Sequence, residues 1–138
     1  MTTINEAVRA WAKGMYATEA GVELLIRSRV AIRDGAPWIH RDGDRAWVDP
    51  EELLNAAGAW SGGEQRLVRI AASLIGGPAV DLSEDIPALD RENASLVLAA
   101  IAHANGSHEH SDFSYNAEGR PNGIVSLDSL YPWPKAGR

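Results

Sequence analysis

A single, mainly α-helical domain with one small β-hairpin is the fold class this sequence predicts, and three observations carry it. Apolar residues recur at helical spacing in several blocks along the chain. Most of those blocks open on a Ser, Thr or Asp placed to cap a helix. The segment 38–48 departs from the rule and alternates around Asp42-Gly43. The expectation is about five helices, with 1–106 a helical core domain carrying the hairpin as an insertion. Residues 107–138 are expected to form an irregular tail that packs on the domain and frays at its end.

The elements follow in order. Thr3-x-x-Glu6 is a capping box, and Ile4, Val8, Trp11 and Met15 make one apolar stripe behind it before Gly14 stops the helix. Thr18 is the expected N-cap of a second helix to about Arg27, with Val22, Leu25 and Ile26 inward. So short a link makes the two helices an antiparallel pair. Trp38 and Trp47 then flank Asp42-Gly43, and a lone hairpin of this kind must lean on the helices to persist in water. Asp49-Pro50-Glu51-Glu52 starts a third helix, which buries Leu53, Leu54 and Ala57 and ends at Gly58. Ser61-Gly62-Gly63-Glu64 is a second capping box, ahead of Leu67, Val68, Ala71, Leu74 and Ile75. After Gly76-Gly77-Pro78, residues 79–82 suit a short strand or an extended link, and Ser83 caps one short turn. Asp90 caps the last helix, whose expected buried residues are Ala94, Val97, Leu98, Ile101 and Ala102, with Asn105-Gly106 as its stop. Beyond it the chain is rich in Ser, Asn, Gly and Pro, and the apolar groups expected to pack are only Ile124-Val125, Leu127 and Leu130-Tyr131.

Composition narrows the function classes. A chain of 138 residues with a hydrophobic fraction of 45 % can bury a real core. The absence of cysteine excludes disulfides and thiolate metal sites. No basic segment followed by an apolar run opens the sequence, and no apolar run is long enough to span a bilayer, so a cytoplasmic protein without membrane contact is expected. The net charge of −6 falls entirely on residues 51–138, and an acidic half repels a phosphate backbone.

SGGEQRLVRIAASL, residues 61–74, is similar to the signature helix of ABC-type ATPases, and Ala88-Leu89-Asp90 resembles that family's D-loop. The resemblance implies that Ser61, Gly62 and Gly63 contact a nucleotide phosphate across a dimer. It also places Glu84 where the family's catalytic glutamate lies. Helix N-terminal N–H groups do bind anions. The chain has no G-x-x-x-x-G-K-[ST] loop, however, and Ser83 stands where the magnesium-holding aspartate belongs. In overall style the sequence resembles small proteins of high-GC bacteria and their phages, with eleven arginines against two lysines.

Three other groups invite chemistry. His103, His108 and His110 form a metal-like cluster, for which a solvated polar loop is the plainer reading. Arg27, Arg29, Arg33, Arg41 and Arg45 offer a modest DNA-binding patch, diluted by Asp34, Asp42 and Asp44. Trp38, Trp47, Trp60 and Trp133 are candidate interface aromatics. No catalytic constellation and no cofactor motif emerge. The leading expectation is a non-enzymatic protein–protein interaction or regulatory module, self-association being one form of it. A degenerate nucleotide- or phosphate-binding protein using Ser61-Gly62-Gly63 comes second, and DNA binding through the Arg-bearing hairpin third.

Overall fold

In the computed structural model, which describes residues 2–135, the Thr3 side chain accepts the Glu6 N–H and opens α1, Ile4–Ala12. Its inward residues are Ala7, Val8 and Ala12, with Ile4 and Trp11 packed at the margin and Met15 half exposed. The second helix, α2, runs Tyr16–Ser28 and begins earlier than its sequence suggests. Gly14 takes a φ of 94° and turns the chain, and the Glu19 carboxylate accepts the Gly14 N–H. Met15 becomes the N-cap and Thr18 lies inside the helix, because a carboxylate reaching back one turn replaces the hydroxyl cap.

The hairpin pairs β1, Ile39–Asp42, with β2, Arg45–Val48, in antiparallel register from Ile39↔Val48 to Asp42↔Arg45. Gly43 sits first in the two-residue turn at φ 64°, the conformation glycine supplies most cheaply. The hairpin leans on α1 through β2, burying Ala46 and Val48. Asp49 then accepts the N–H groups of both Glu51 and Glu52 and opens α3, Pro50–Ala57.

Helix α4, Gly62–Leu74, carries the full capping box at Ser61 and Glu64 and buries Leu67, Val68, Ile70, Ala71 and Ala72. It packs on α2 and α3. At the α2 crossing Gly21 leaves the room α4 occupies, since a Cβ there would lie 2.6 Å from Ile75 Cγ1 and 2.8 Å from the Ala71 carbonyl oxygen. The link after Gly77 forms no strand, and Asp81 rather than Ser83 caps the short α5, Leu82–Asp85. Asp85 is buried, and the Arg69 guanidinium clamps its carboxylate at 2.7 Å, tying α5 to α4.

Helix α6, Arg91–Ala104, is capped by Asp90 as expected, but its inward face differs. Leu96, Val97, Ala99, Ala100 and Ala102 are buried, whereas Leu98 and Ile101 are half exposed. A face rich in alanine lets α6 lie close against α2, which turns the two larger residues outward.

The segment after Gly106 is more regular than its composition suggests. A 3₁₀ turn at Ser107–Glu109 leads into a second antiparallel hairpin, β3 at Ser111–Tyr115 and β4 at Pro121–Ser126. Phe113 and Tyr115 alternate along β3, and Asn116 closes the loop by accepting the Glu118 and Arg120 N–H groups. That alternation is the hairpin signal, masked by the surrounding polar residues. The chain then returns along α6, with Leu130 N–H donating to Ser107 Oγ and Tyr131 Oη at 3.0 Å from Ser95 Oγ. Helices account for 48 % of the structure, so the mainly α fold class holds with two hairpins rather than one. Among the described residues no helix is long and apolar enough to cross a membrane. The expected frayed end at 136–138 lies outside the described residues.

Candidate functional site

The densest group of polar side chains gathers where the C-terminal end of α6 meets the N-terminal end of α2. Helix α6 delivers His103, the 3₁₀ turn delivers His108, and α2 delivers Tyr16 and Glu19. The returning C-terminal segment lays Trp133 over them. His103 Nε2 is 2.7 Å from Glu19 Oε1, and Trp133 Nε1 donates to His103 Nδ1 at 3.3 Å. The two imidazoles stack at 4.1 Å, within 22° of parallel, and Tyr16 meets the His108 ring edge-on at 5.1 Å. Arg27 covers the Trp133 ring at 4.9 Å while pairing with Glu23. Burial pushes the Glu19 carboxyl up, but the Gly14 N–H and the His103 and His108 imidazoles outweigh it and hold it below the ordinary carboxylate value.

Of the three histidines in the metal-like group of the sequence, His103 and His108 meet and His110 does not join them, being exposed at the mouth of β3. Glu19 completes the group instead. Nothing local in the sequence points to Glu19, because 84 positions separate it from His103 and only the α2–α6 packing brings them together. Two imidazoles and a carboxylate are a zinc-type donor set. The rings lie face to face, however, so their lone pairs run side by side rather than converging on one point. Metal on Nε2 would also put the remaining proton of a neutral His103 on Nδ1, against the Trp133 N–H. An ion held by both imidazoles therefore requires the stack to open. Nδ1 of His108 is buried without a hydrogen-bond partner.

A second, more open group joins His40 to Glu52 at 3.1 Å and to Asp49 at 3.8 Å, with the His40 ring stacked on Trp47. Asp49 caps α3 through Oδ1 and faces His40 with Oδ2, and all three side chains are substantially solvated.

At the α4 start, the Ser61 hydroxyl accepts the Glu64 N–H and the Glu64 carboxylate accepts the Ser61 N–H, both at 3.3 Å. Glu84 sits on α5, and the Asp90 carboxylate is occupied by the Asn93 N–H. The four tryptophans divide. Trp38 is a core residue at 3 % exposure, its indole N–H donated to Ala31 O, so it offers no docking surface. Trp60 packs edge-on against it at 5.3 Å, Trp133 is partly buried over His103, and Trp47 alone of the four is exposed. The arginine patch is likewise committed in part, with Arg27 on Glu23, Arg41 on Asp34 and Arg33 stacked over Trp38.

Exposed apolar side chains occur elsewhere, on Leu98, Ile101 and Leu130 and, as a group, on the second hairpin. In the β3–β4 hairpin every residue except Ser114 is exposed. Phe113 stands opposite Ile124 in register, so the two share one face, and Tyr115 follows two positions on along β3, where a bulge at Asn122 shifts the pairing to Pro121. Their exposures are 56 %, 72 % and 58 %. Asp112 alternates to the other face. A recess of about 260 Å³ between α3 and α4 is lined by Leu54, Ala57 and Arg69, but Arg69 is held by Asp85 and no nucleophile or base faces it.

The fold and these surfaces define a small helical domain bearing a projecting β-arm and a histidine–carboxylate cluster. No family model, curated protein or solved structure matches the chain.

Proposed function

We propose that this protein is a non-enzymatic interaction module that self-associates through the apolar face of the β3–β4 arm. The exposed trio of Phe113, Tyr115 and Ile124 carries the reading. A two-stranded hairpin is marginal in water on its own. An alternating strand with one apolar face ordinarily presses that face on something. Fully burying a Phe or Ile is worth roughly 1.5–3 kcal/mol, and covering the exposed part of Phe113 and Ile124 supplies a share of that. A second copy suits the surface because the face carries no charge in a chain of net charge −6. Two such faces meet across a two-fold axis without opposing like charges. Light scattering on a sizing column tests this. Wild type is expected at twice its monomer mass of 14.8 kDa, and Ile124→Asp at the monomer mass with an unchanged circular dichroism spectrum. A wild type that stays monomeric at high concentration overturns self-association.

A second reading rests on Arg66. Its guanidinium lies against Gly62 at the start of α4, and it pairs with no carboxylate among the described residues. That arrangement favours an anion beside Ser61-Gly62-Gly63, with Glu64 opposing it. A thermal shift with ATP, GTP or phosphate supports this reading, and an unmoved melting point removes it.

A further inference from the structure

We propose that His103 is a proton-controlled latch for the C-terminal segment, holding Trp133 only while its ring is neutral. The argument rests on hydrogen-bond directions. An indole N–H can only donate, so the Trp133 contact at 3.3 Å requires a lone pair on His103 Nδ1. The other ring nitrogen, Nε2, faces the Glu19 carboxylate at 2.7 Å, which only accepts when ionised. One form of the imidazole satisfies both neighbours, the neutral ring with its proton on Nε2.

A second proton has one place to go, Nδ1. Two N–H groups then point at each other across the former hydrogen bond, and the indole has to leave. The imidazolium itself is well received, because its Nε2–H becomes a charge-assisted donor to Glu19. Glu19 therefore keeps its hydrogen bond from Nε2 while the added proton on Nδ1 breaks the contact with Trp133.

The charged and titratable neighbours fit this exchange. From α2 come Glu19, Tyr16 and, across the indole, Arg27, which shares the Glu23 carboxylate with Arg9 of α1. From the 3₁₀ turn comes His108, stacked on His103 at 4.1 Å, so that a charge on either ring disfavours one on the other. The contacts left to the segment are the apolar packing of Trp133 on the core, the Arg27 guanidinium over its ring at 4.9 Å, and a few polar ones. Arg27 Nη1 donates to Pro134 O at 3.4 Å, and Ser95 and Ser107 hold Tyr131 and Leu130. Acidification therefore frees the Trp133 end first and uncovers the His103 ring at the edge of the α2–α6 packing.

Indole N–H spectra of the ¹⁵N-labelled protein test the latch directly. Each of the five tryptophans gives one cross-peak, and Trp133→Phe identifies the one that matters. Lowering the pH from about 8 to about 5, the interval in which histidine ordinarily titrates, is expected to shift the Trp133 proton upfield as its hydrogen bond is lost. The Trp38 proton, buried on Ala31 O, stays in place as the internal reference. In His103→Gln the pH-dependent shift disappears, and in His108→Gln it persists, while the other four cross-peaks report that each variant is folded. A Trp133 peak that does not move with pH, or one that still moves in His103→Gln, overturns the proposal.

Discussion

Replacing Gly21 with alanine sets two known effects against each other, and the geometry decides the sign. Glycine inside a helix costs about 0.5–1 kcal/mol relative to alanine, so propensity alone makes Gly21→Ala stabilising. The new methyl would lie 2.6 Å from Ile75 Cγ1 and 2.8 Å from the Ala71 carbonyl oxygen. Carbon–carbon contact is favourable only from about 3.5 Å, so the misfit is close to 1 Å. Ile75 is partly buried and its side chain can swing aside. The Ala71 oxygen cannot, because it accepts the Ile75 N–H within the end of α4. Relief requires α2 and α4 to separate along a crossing that holds Leu24, Leu25, Leu67 and Val68.

Overpacking of this kind costs about 1–3 kcal/mol, which exceeds the propensity gain. The expected net loss is about 1–2 kcal/mol, a fall in Tm of roughly 3–8 °C for a domain of this size. Gly63→Ala is the matched control, since nothing lies within 4 Å of the added methyl and its φ is not left-handed. It is expected to be neutral or to gain up to about 1 kcal/mol. Combining Gly21→Ala with Ile75→Ala removes the side-chain clash and leaves the carbonyl one. Urea denaturation of the four proteins reads these differences. A Gly21→Ala protein as stable as wild type would show that α2 and α4 do not cross this tightly.

Two further predictions concern charge. Arg69→Met leaves the Asp85 carboxylate, 3 % exposed, without its guanidinium. Breaking a buried pair costs about 3–5 kcal/mol. The 40 % exposure of Arg69 lets water reach the gap and moves the expectation to the lower end. Adding Asp85→Asn should recover part of the loss, and a double-mutant cycle measured in urea that finds no coupling would refute the role given to the pair. The acid limb follows from Glu19 and Glu23. Burial pushes Glu23 up, but hydrogen bonds from Arg9 and Arg27 outweigh it, and both carboxyls end below their ordinary value of 4.5. Because the folded values are the lower ones, the stabilisation is complete above pH 4.5 and disappears as pH falls through them. Stability measured from neutral pH downward should decline there, and Glu23→Gln should flatten the decline. An unaltered slope in that variant would count against it.

Local chemistry was enough to place most helices. Thr3, Asp49, Ser61 and Asp90 each satisfy N–H groups within a few residues, so their capping needs no tertiary partner. The Asp42-Gly43 hairpin follows from a backbone preference just as local. The ABC-like letters at Ser61 and Asp90 coincide with two of these caps.

What the helices turn inward, and what meets across them, depended on packing. Leu98 and Ile101 face out because the alanine face of α6 fits α2 more closely, a comparison no single helix contains. Thr18 lost its cap to Glu19, whose second oxygen serves a histidine 84 positions away. Trp38 entered the core and Trp133 reached His103 only after the chain had returned along α6. The sequence by itself determined where helices start, because caps act over three or four residues. Tertiary structure alone decided the Glu19–His103–His108 cluster and the bare face of the β3–β4 arm, because contact and exposure are properties of surfaces that exist only once the helices have packed.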